Sequence, residues 1–293
     1  MRELTRVIDE ADAGRQLKYL VRGGMGLSYH QFSALKASGG MWINGVPARA
    51  NAILKLGDVV TLRLEDAPRS PVPFEMAPVN VVYEDEDLLI IDKPAPLPCQ
   101  CSPKQTAMTL ENRLAWRYRD VPGYVFRPVN RLDKGTSGLM AAAMNAHAAQ
   151  LLQKQLHTDQ FIREYLAVVE GEMTGEGVID APIAKEAAAT VRRVVDFVRG
   201  VEAVTHYRAE GNFGPYTLVR LRLQTGRTHQ IRVHLSHLGH PIVGDFLYGT
   251  EDPRLPGRFA LHSTYIHLLH PISGQIVEAA SPLPGTLAAL ISE

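Results

Sequence analysis

Ten consecutive residues, Asn130-Arg131-Leu132-Asp133-Lys134-Gly135-Thr136-Ser137-Gly138-Leu139, hold the densest chemistry in this chain. They lie between the apolar runs Tyr124-Val125-Phe126 and Leu139-Met140-Ala141-Ala142-Ala143. A charged, glycine-punctuated loop between buried segments is where a scaffold displays reactive groups. Asp133 has a cation on either side, Arg131 and Lys134, which favours an ionised carboxylate. The same residues also suit a plain β-turn, because Asp, Gly, Thr and Ser are all common turn formers.

A second concentration is Leu223-Gln224-Thr225-Gly226-Arg227-Thr228-His229-Gln230-Ile231-Arg232-Val233-His234-Leu235, where glycine-assisted backbone access meets two arginines. His229, His234, His237 and His240 crowd a twelve-residue window that begins within this stretch, and His234 and His237 share a helix face. A metal site would need a further ligand and supporting carboxylates. Neither a His-Glu-x-x-His pattern nor a useful cysteine pair is present, so no metal is expected. Partly buried, hydrogen-bonded histidines are expected instead. Gly135-Thr136-Ser137-Gly138 is not the Gly-x-Ser-x-Gly elbow of a hydrolase. Asp133-Lys134-Gly135-Thr136 is only faintly like an aspartyl-phosphate motif, and no P-loop accompanies it.

These stretches need a scaffold, and 293 residues at 45% hydrophobic can build more than one core. The 31 basic and 31 acidic residues cancel, so any nucleic-acid surface must be local. Cys99 and Cys101 suit neither a disulfide framework nor a zinc site, and reduced thiols are expected. Met1 to Arg6 lacks the apolar core of a signal peptide, and no run reaches the length of a membrane span. The expectation is a cytoplasmic protein, with a monomer as the default state.

Residues Gly14 to about Glu65 read as one small unit. Leu17, Leu20 and Val21 have helical spacing, and Ser28 to Lys36 forms a second helical pattern ended by Gly39-Gly40. Asn44-Gly45 after Met41-Trp42-Ile43 signals a hairpin, and Val59 to Leu64 a strand. Three prolines between Asp66 and Pro73 mark a linker. Beyond it, Val81-Val82-Tyr83 and Leu88-Leu89-Ile90-Ile91 form a hairpin around an acidic turn, and Leu110 to Arg119 a helix. Asn145 caps a helix with Ala148, Leu151, Leu152 and Leu156 on its apolar face. Phe161 to Val169 is a strand. Arg220 and Arg222 alternate with Val219, Leu221 and Leu223 along another, and Thr228 to His237 is a helix. Strands dominate without steady βαβ alternation, which predicts an α+β fold with a mixed, mostly antiparallel sheet and flanking helices. The expected domains are a small module at 1–66, a proline-rich linker at 67–76 and a larger domain at 77–293.

Leu27-Ser28, Lys36, Ile43-Asn44-Gly45 and Leu56-Gly57-Asp58-Val59 resemble the α-L RNA-binding module of a ribosomal protein and several RNA-modifying enzymes. That family usually shows Arg-Leu-Asp where this chain has Arg15-Gln16-Leu17, and it is usually more basic on the second helix. Downstream, the chain resembles the pseudouridine synthases of the RluA type. Their hallmark His-Arg-Leu-Asp-x-x-Thr-Ser-Gly is matched from Asn130 to Gly138, with Asn in place of His. Their Gly-Arg-x-His-Gln-(Ile/Leu)-Arg-x-His is unbroken from Gly226 to His234. Asp92-Lys93-Pro94-Ala95, Arg163-Glu164-Tyr165, Gly239 to Asp245 and Leu261-His262 follow in the family's order, though Pro96 stands where glycine is usual. Coverage is about residues 77 to 290.

The resemblance implies isomerisation of uridine to pseudouridine in RNA, ribosomal or transfer, with no cofactor and no metal. It implies that Asp133 supplies the one basic or nucleophilic carboxylate, that Arg232 keeps it ionised and aimed, and that Tyr165 stacks on the uracil and moves the C5 proton. Asp133 attacking C1′, attacking C6 or removing a ribose proton all use the same group, and the three stay open. Leu261 is expected to wall the pocket, and Asn130, Arg131, Arg227, His229 and Gln230 to bind substrate. A stacked uridine must be flipped out to react, and Arg131 is placed to fill the stack or hold a flanking phosphate. Arg192, Arg193, Arg220, Arg222 and Arg227 are expected to form a local basic track, unless the Arg220/Arg222 face is a solvated, ion-paired one. The rival reading is a catalytically inactive RNA-binding protein on the same fold.

Overall fold

In a computed structural model, residues 2–27, 29–64, 73–74, 78–102, 105–156 and 158–292 are described. Most of the expected proline linker lies outside them. The N-terminal sheet contains β1 (Arg2–Val7), β2 (Met41–Ile43), β3 (Val46–Pro47) and β4 (Val59–Leu64), in the order β1-β4-β2-β3. Helices α1 (Leu17–Tyr19) and α2 (Tyr29–Ser38) pack on it through a core that includes Leu17, Leu20, Leu35, Val60 and Leu62. Asn44 and Gly45 both have positive φ, 51° and 77°, so the tight hairpin turn forms where its residues allow it. Strand β1, absent from the sequence reading, runs antiparallel to β4 and closes one side of the module.

Downstream come β5 (Asn80–Glu84), β6 (Leu88–Lys93), α3 (Leu110–Arg117), β7 (Arg127–Pro128), β8 (Ser137–Ala143), α4 (Ala146–Gln155) and β9 (Phe161–Glu170). They are followed by β10 (Glu176–Asp180), β11 (Ile183–Lys185), β12 (Arg193–Val195), β13 (Val204–Phe213) and β14 (Tyr216–Leu223). The chain ends with α5 (Gln230–His237), β15 (Leu261–Leu269), β16 (Ile276–Ala280) and α6 (Gly285–Ala288). Ten strands make one sheet in the order β10-β13-β14-β9-β15-β8-β6-β5, with β16 beside β15 and β7 beside β8. The β15–β8 pair is parallel and the other pairs are antiparallel, which is the mixed α+β sheet expected.

Both faces of this sheet are covered. Leu89, Ile91, Met140, Tyr165 and Leu221 face a core shared with α3, α5 and α6, whereas Leu88, Ile90, Leu139 and Ala141 face one shared with α4. A strand buried on both sides reads as a continuous apolar run, as Leu88 to Ile91 does. Asn145 caps α4 as expected, its Oδ1 accepting from Ala148 N at 2.9 Å. Gly138 has φ of 103°, and a Cβ there would sit 2.2 Å from Ser263 O, so only glycine lets β8 lie this close to β15.

Candidate active site

The Asn130–Thr136 loop enters β8, Tyr165 comes from the central strand β9, and Arg232 from α5. These elements converge because Leu132, Tyr165, Leu221, Ile231 and Leu261 share one apolar core. Above them runs an open groove of about 830 Å³, lined among others by Cys99, Asn130, Asp133, Arg163, Tyr165 and Arg227. A small pocket of about 60 Å³ adjoins it, bounded by Asp133, Tyr165, Ile231, Arg232 and Leu261.

Arg232 is the best-held group in the site. It is buried, and its Nε and Nη2 donate to the two oxygens of fully buried Asp245, each at 2.7 Å. Its third arm, Nη1, donates to Asp133 Oδ2 at 3.1 Å. Phe259 lies 4.2 Å from the guanidinium and Tyr248 4.9 Å. Burial works against its charge, but the hydrogen bonds and charges of Asp245 and Asp133 outweigh it and raise its pKa. A bidentate carboxylate clamp fixes the plane of a guanidinium, so the remaining N–H is aimed at Asp133 before substrate arrives. The flanking cations do not have the role the sequence suggests. Among the described residues, the ion-pair partners of Asp133 are Arg232 and, at 3.9 Å, His229, rather than Arg131 or Lys134.

His229 sits at the N-terminus of α5 in the left-handed region, with φ of 61°. Its Nδ1 is 2.8 Å from Tyr248 Oη, and that oxygen also accepts from Arg193 N at 2.8 Å. Which of the pair donates depends on the imidazole tautomer, and Nε2 lies 3.9 Å from Asp133 Oδ2. Burial pulls the imidazole pKa down, the Asp133 charge opposes it, and the net shift favours the neutral ring. Burial likewise pushes the Tyr165 hydroxyl up, so it stays protonated at neutral pH.

Several expected residues have other tasks. Gln230 was expected to bind substrate, yet its amide is committed within the chain. Nε2 donates to Val204 O and Thr205 Oγ1, while Oε1 accepts from Arg227 N and Thr225 Oγ1. It holds the loop carrying Arg227 and His229. Asn130 Oδ1 accepts from Ala141 N at 2.9 Å, so this side chain braces its own loop against β8. Leu261 is buried at the wall of the small pocket. Arg131 and Arg227 line the groove. In the rest of the expected basic track, Arg220 bonds Glu210 and Glu164, Arg222 bonds Asp159 and Arg192 lies 3.5 Å from Glu186, which is the ion-paired alternative, whereas Arg193 donates to the carbonyls of Val191 and Arg192. The arginines alternate along β14, but their acidic partners come from other parts of the chain.

The histidines do not converge as metal ligands would. His234 is bonded to Thr205 Oγ1 and Ala181 O, and His240 to Glu170 O. Ser137 does meet a histidine, His262 Nδ1 at 2.9 Å, but both are buried and Ser137 also accepts from Arg258. It belongs to a structural network under the loop. Sequence reasoning placed Asp245 and Lys93 in motifs without a task and did not single out Tyr248 or Phe259. Lys93 is fully buried and donates to Pro94 O, Leu97 O and, at 3.5 Å, Lys134 O within the Asp133 loop. Burial lowers its pKa to about 8.

A family profile described as RNA pseudouridylate synthase matches residues 87–237. The chain belongs to the RNA pseudouridylate synthase family. It is 39% identical over 254 residues to "Ribosomal large subunit pseudouridine synthase D" of Haemophilus influenzae, covering 80% of this chain and 77% of that one. The protein so named in Escherichia coli K12 is 39% identical over 252 residues, covering 80% and 76%. The solved structure "Human RNA Pseudouridylate Synthase Domain Containing 1" superposes with a TM-score of 0.58 at 27% identity, covering 74% of this chain and 89% of that one. The chain is thus an RNA pseudouridine synthase, an isomerase. Its N-terminal sheet is consistent with an RNA-binding module. Among the described residues, no helix is long and apolar enough to cross a membrane.

Proposed function

We propose that this synthase isomerises uridines of large-subunit ribosomal RNA, with Asp133 as the reacting carboxylate, Arg232 as its aiming cation and Tyr165 as the platform for the uracil. The target class rests on the names of the relatives in Haemophilus influenzae and Escherichia coli. One observation carries the site reading: a buried arginine, clamped bidentately by Asp245, has one arm left over and points it at Asp133. The reaction breaks N1–C1′ and joins C5 to C1′. C5 loses a proton and N1 gains one, so nothing is oxidised and one carboxylate with a proton-moving partner suffices. The uridine must leave its stack to reach Asp133. Arg131 and Arg227 hold the strand at the rim, while Leu261 and Tyr165 shield the detached uracil from water.

Pseudouridine mapping of total RNA from cells with and without this gene tests the target. Loss of large-subunit sites is expected; loss confined to transfer RNA would overturn it. We also infer the domain division 1–66, 67–76 and 77–293, supported by the separate core of the N-terminal sheet. A fragment from Phe74 onward is expected to give a native near-UV dichroism spectrum. A molten spectrum would refute the boundary.

A further inference from the structure

Arg163 lies two residues before Tyr165 on β9, and both line the groove. It is 4% exposed, yet among the described residues no carboxylate lies within ion-pairing distance of it. Its one hydrogen bond among them is from Nη2 to Leu156 O, at 3.3 Å. Nε is buried with no partner, and Phe161 lies 5.6 Å from the guanidinium. An arginine does not shed its proton inside a protein, so it cannot escape burial by becoming neutral. A carbonyl at 3.3 Å and a ring face 5.6 Å away compensate such a charge only in part, and a buried cation ordinarily has an anion beside it. A second orphan lines the same groove: Asn130 Nδ2, also buried without a partner. Arg232 offers the contrast, with both its carboxylates in place.

We infer that Arg163 is a phosphodiester site of the substrate strand, completed when a flipped uridine enters the pocket. The inference rests on the reading of Asp133 and Tyr165 as the place where that uridine is held. The ligand is an anion because the site lacks one, and the phosphodiester is the anionic group of an RNA strand. The location follows from strand geometry. Residues two apart on a strand are separated by roughly 7 Å and point to the same side. One nucleotide spans that distance, with its base on Tyr165 and a neighbouring phosphate on Arg163. Planar N–H forks match phosphate oxygens, and Nε is one of the donors left open. Asn130 Nδ2 supplies a neutral donor in the same groove. Arg163 is therefore a positioning residue. It touches the backbone and leaves the reacting atoms to Asp133.

The test is the salt dependence of binding to an oligouridylate strand, in which every base fits the pocket. Arg163→Gln is expected to weaken binding about tenfold or more. It should also flatten the slope of log affinity against log salt by about 0.7, one phosphate contact on a single strand. Arg163→Lys should restore the slope but not the full affinity, because an ammonium keeps the charge and loses the fork. Arg163→Met should melt no lower than the parent, since it removes an uncompensated charge and keeps an apolar stem. A Gln variant with parental slope and affinity would overturn the inference, as would a Met variant that melts lower while its salt slope is parental. The probe is not ribosomal RNA, so a wrong ribosomal target would show in the mapping experiment and leave this result standing.

Discussion

Replacing Asp245 by asparagine tests how the site holds its carboxylate. Asp245 is fully buried and grips Arg232 through two hydrogen bonds of 2.7 Å. Asparagine keeps the shape but loses the charge, and one of its arms becomes a donor facing a donor. Breaking a buried pair by removing one partner costs about 3–5 kcal/mol, which lowers Tm by roughly 6–20 °C in a domain of this size. The freed guanidinium still has an anion in reach, Asp133 at 3.1 Å. It is expected to close on Asp133 and pull it out of line, and misplacement by an ångström costs about a hundredfold in rate. Melting followed by dichroism reads the first effect. Release of the C5 hydrogen isotope from labelled uridine RNA, measured where the variant is still folded, reads the second. A variant that melts within about 2 °C of the parent and turns over at the parental rate would show that the clamp does not hold the site.

Lys93→Met should change how stability depends on pH. Burial lowers the Lys93 pKa from 10.5 to about 8, so between these values the unfolded chain binds more protons and stability rises with pH. Relative to Lys93→Met, the wild type should gain about 3 kcal/mol between pH 7 and 11, read from denaturant unfolding; a flat difference would show that the ammonium is not desolvated. Asn130→His should change kcat/KM by about tenfold or less, about 1.4 kcal/mol, because the side chain braces the loop against Ala141 N and an imidazole nitrogen can accept the same bond. Complete loss of turnover with RNA binding intact would give Asn130 a role in the chemistry. Gly138→Ala should cost about 2–4 kcal/mol or prevent folding, since its Cβ would meet Ser263 O at 2.2 Å. Parental stability in a denaturant titration would show that β8 and β15 can part.

Local signals were readable in the sequence. The Asn44-Gly45 turn, the Asn145 cap, the buried run Leu88 to Ile91 and the strand carrying Tyr165 each depend on neighbours a few residues away. Pairing at long range was not. Strand β1 shows no turn chemistry of its own and is defined only by β4. The parallel contact that makes the sheet mixed joins Ser137 to His262, 125 residues apart. The site divides in the same way. Asp133, Tyr165 and Arg232 came from motif resemblance, and the structure brings all three to one pocket. The cations beside Asp133 in sequence misled, because a loop turns neighbouring side chains apart while Arg232 arrives from 99 residues away. Gln230 looked like a ligand-binding amide because sequence does not show that backbone and hydroxyl groups already fill its hydrogen-bonding capacity. Arg163 gave no sign of burial without an acid partner, since that depends on what surrounds it in three dimensions.

The central claim is that Asp133 reacts, and Asp133→Asn tests it most directly. The amide is isosteric and a good turn former, so a residue that only shaped the loop would tolerate the change. It cannot act as nucleophile or base, and Arg232 Nη1 would face a neutral oxygen. Isotope release from C5-labelled uridine RNA should fall to background even at stoichiometric enzyme, with melting temperature and gel-shift affinity close to parental. Release near the parental rate would contradict the assignment of this loop as the active site.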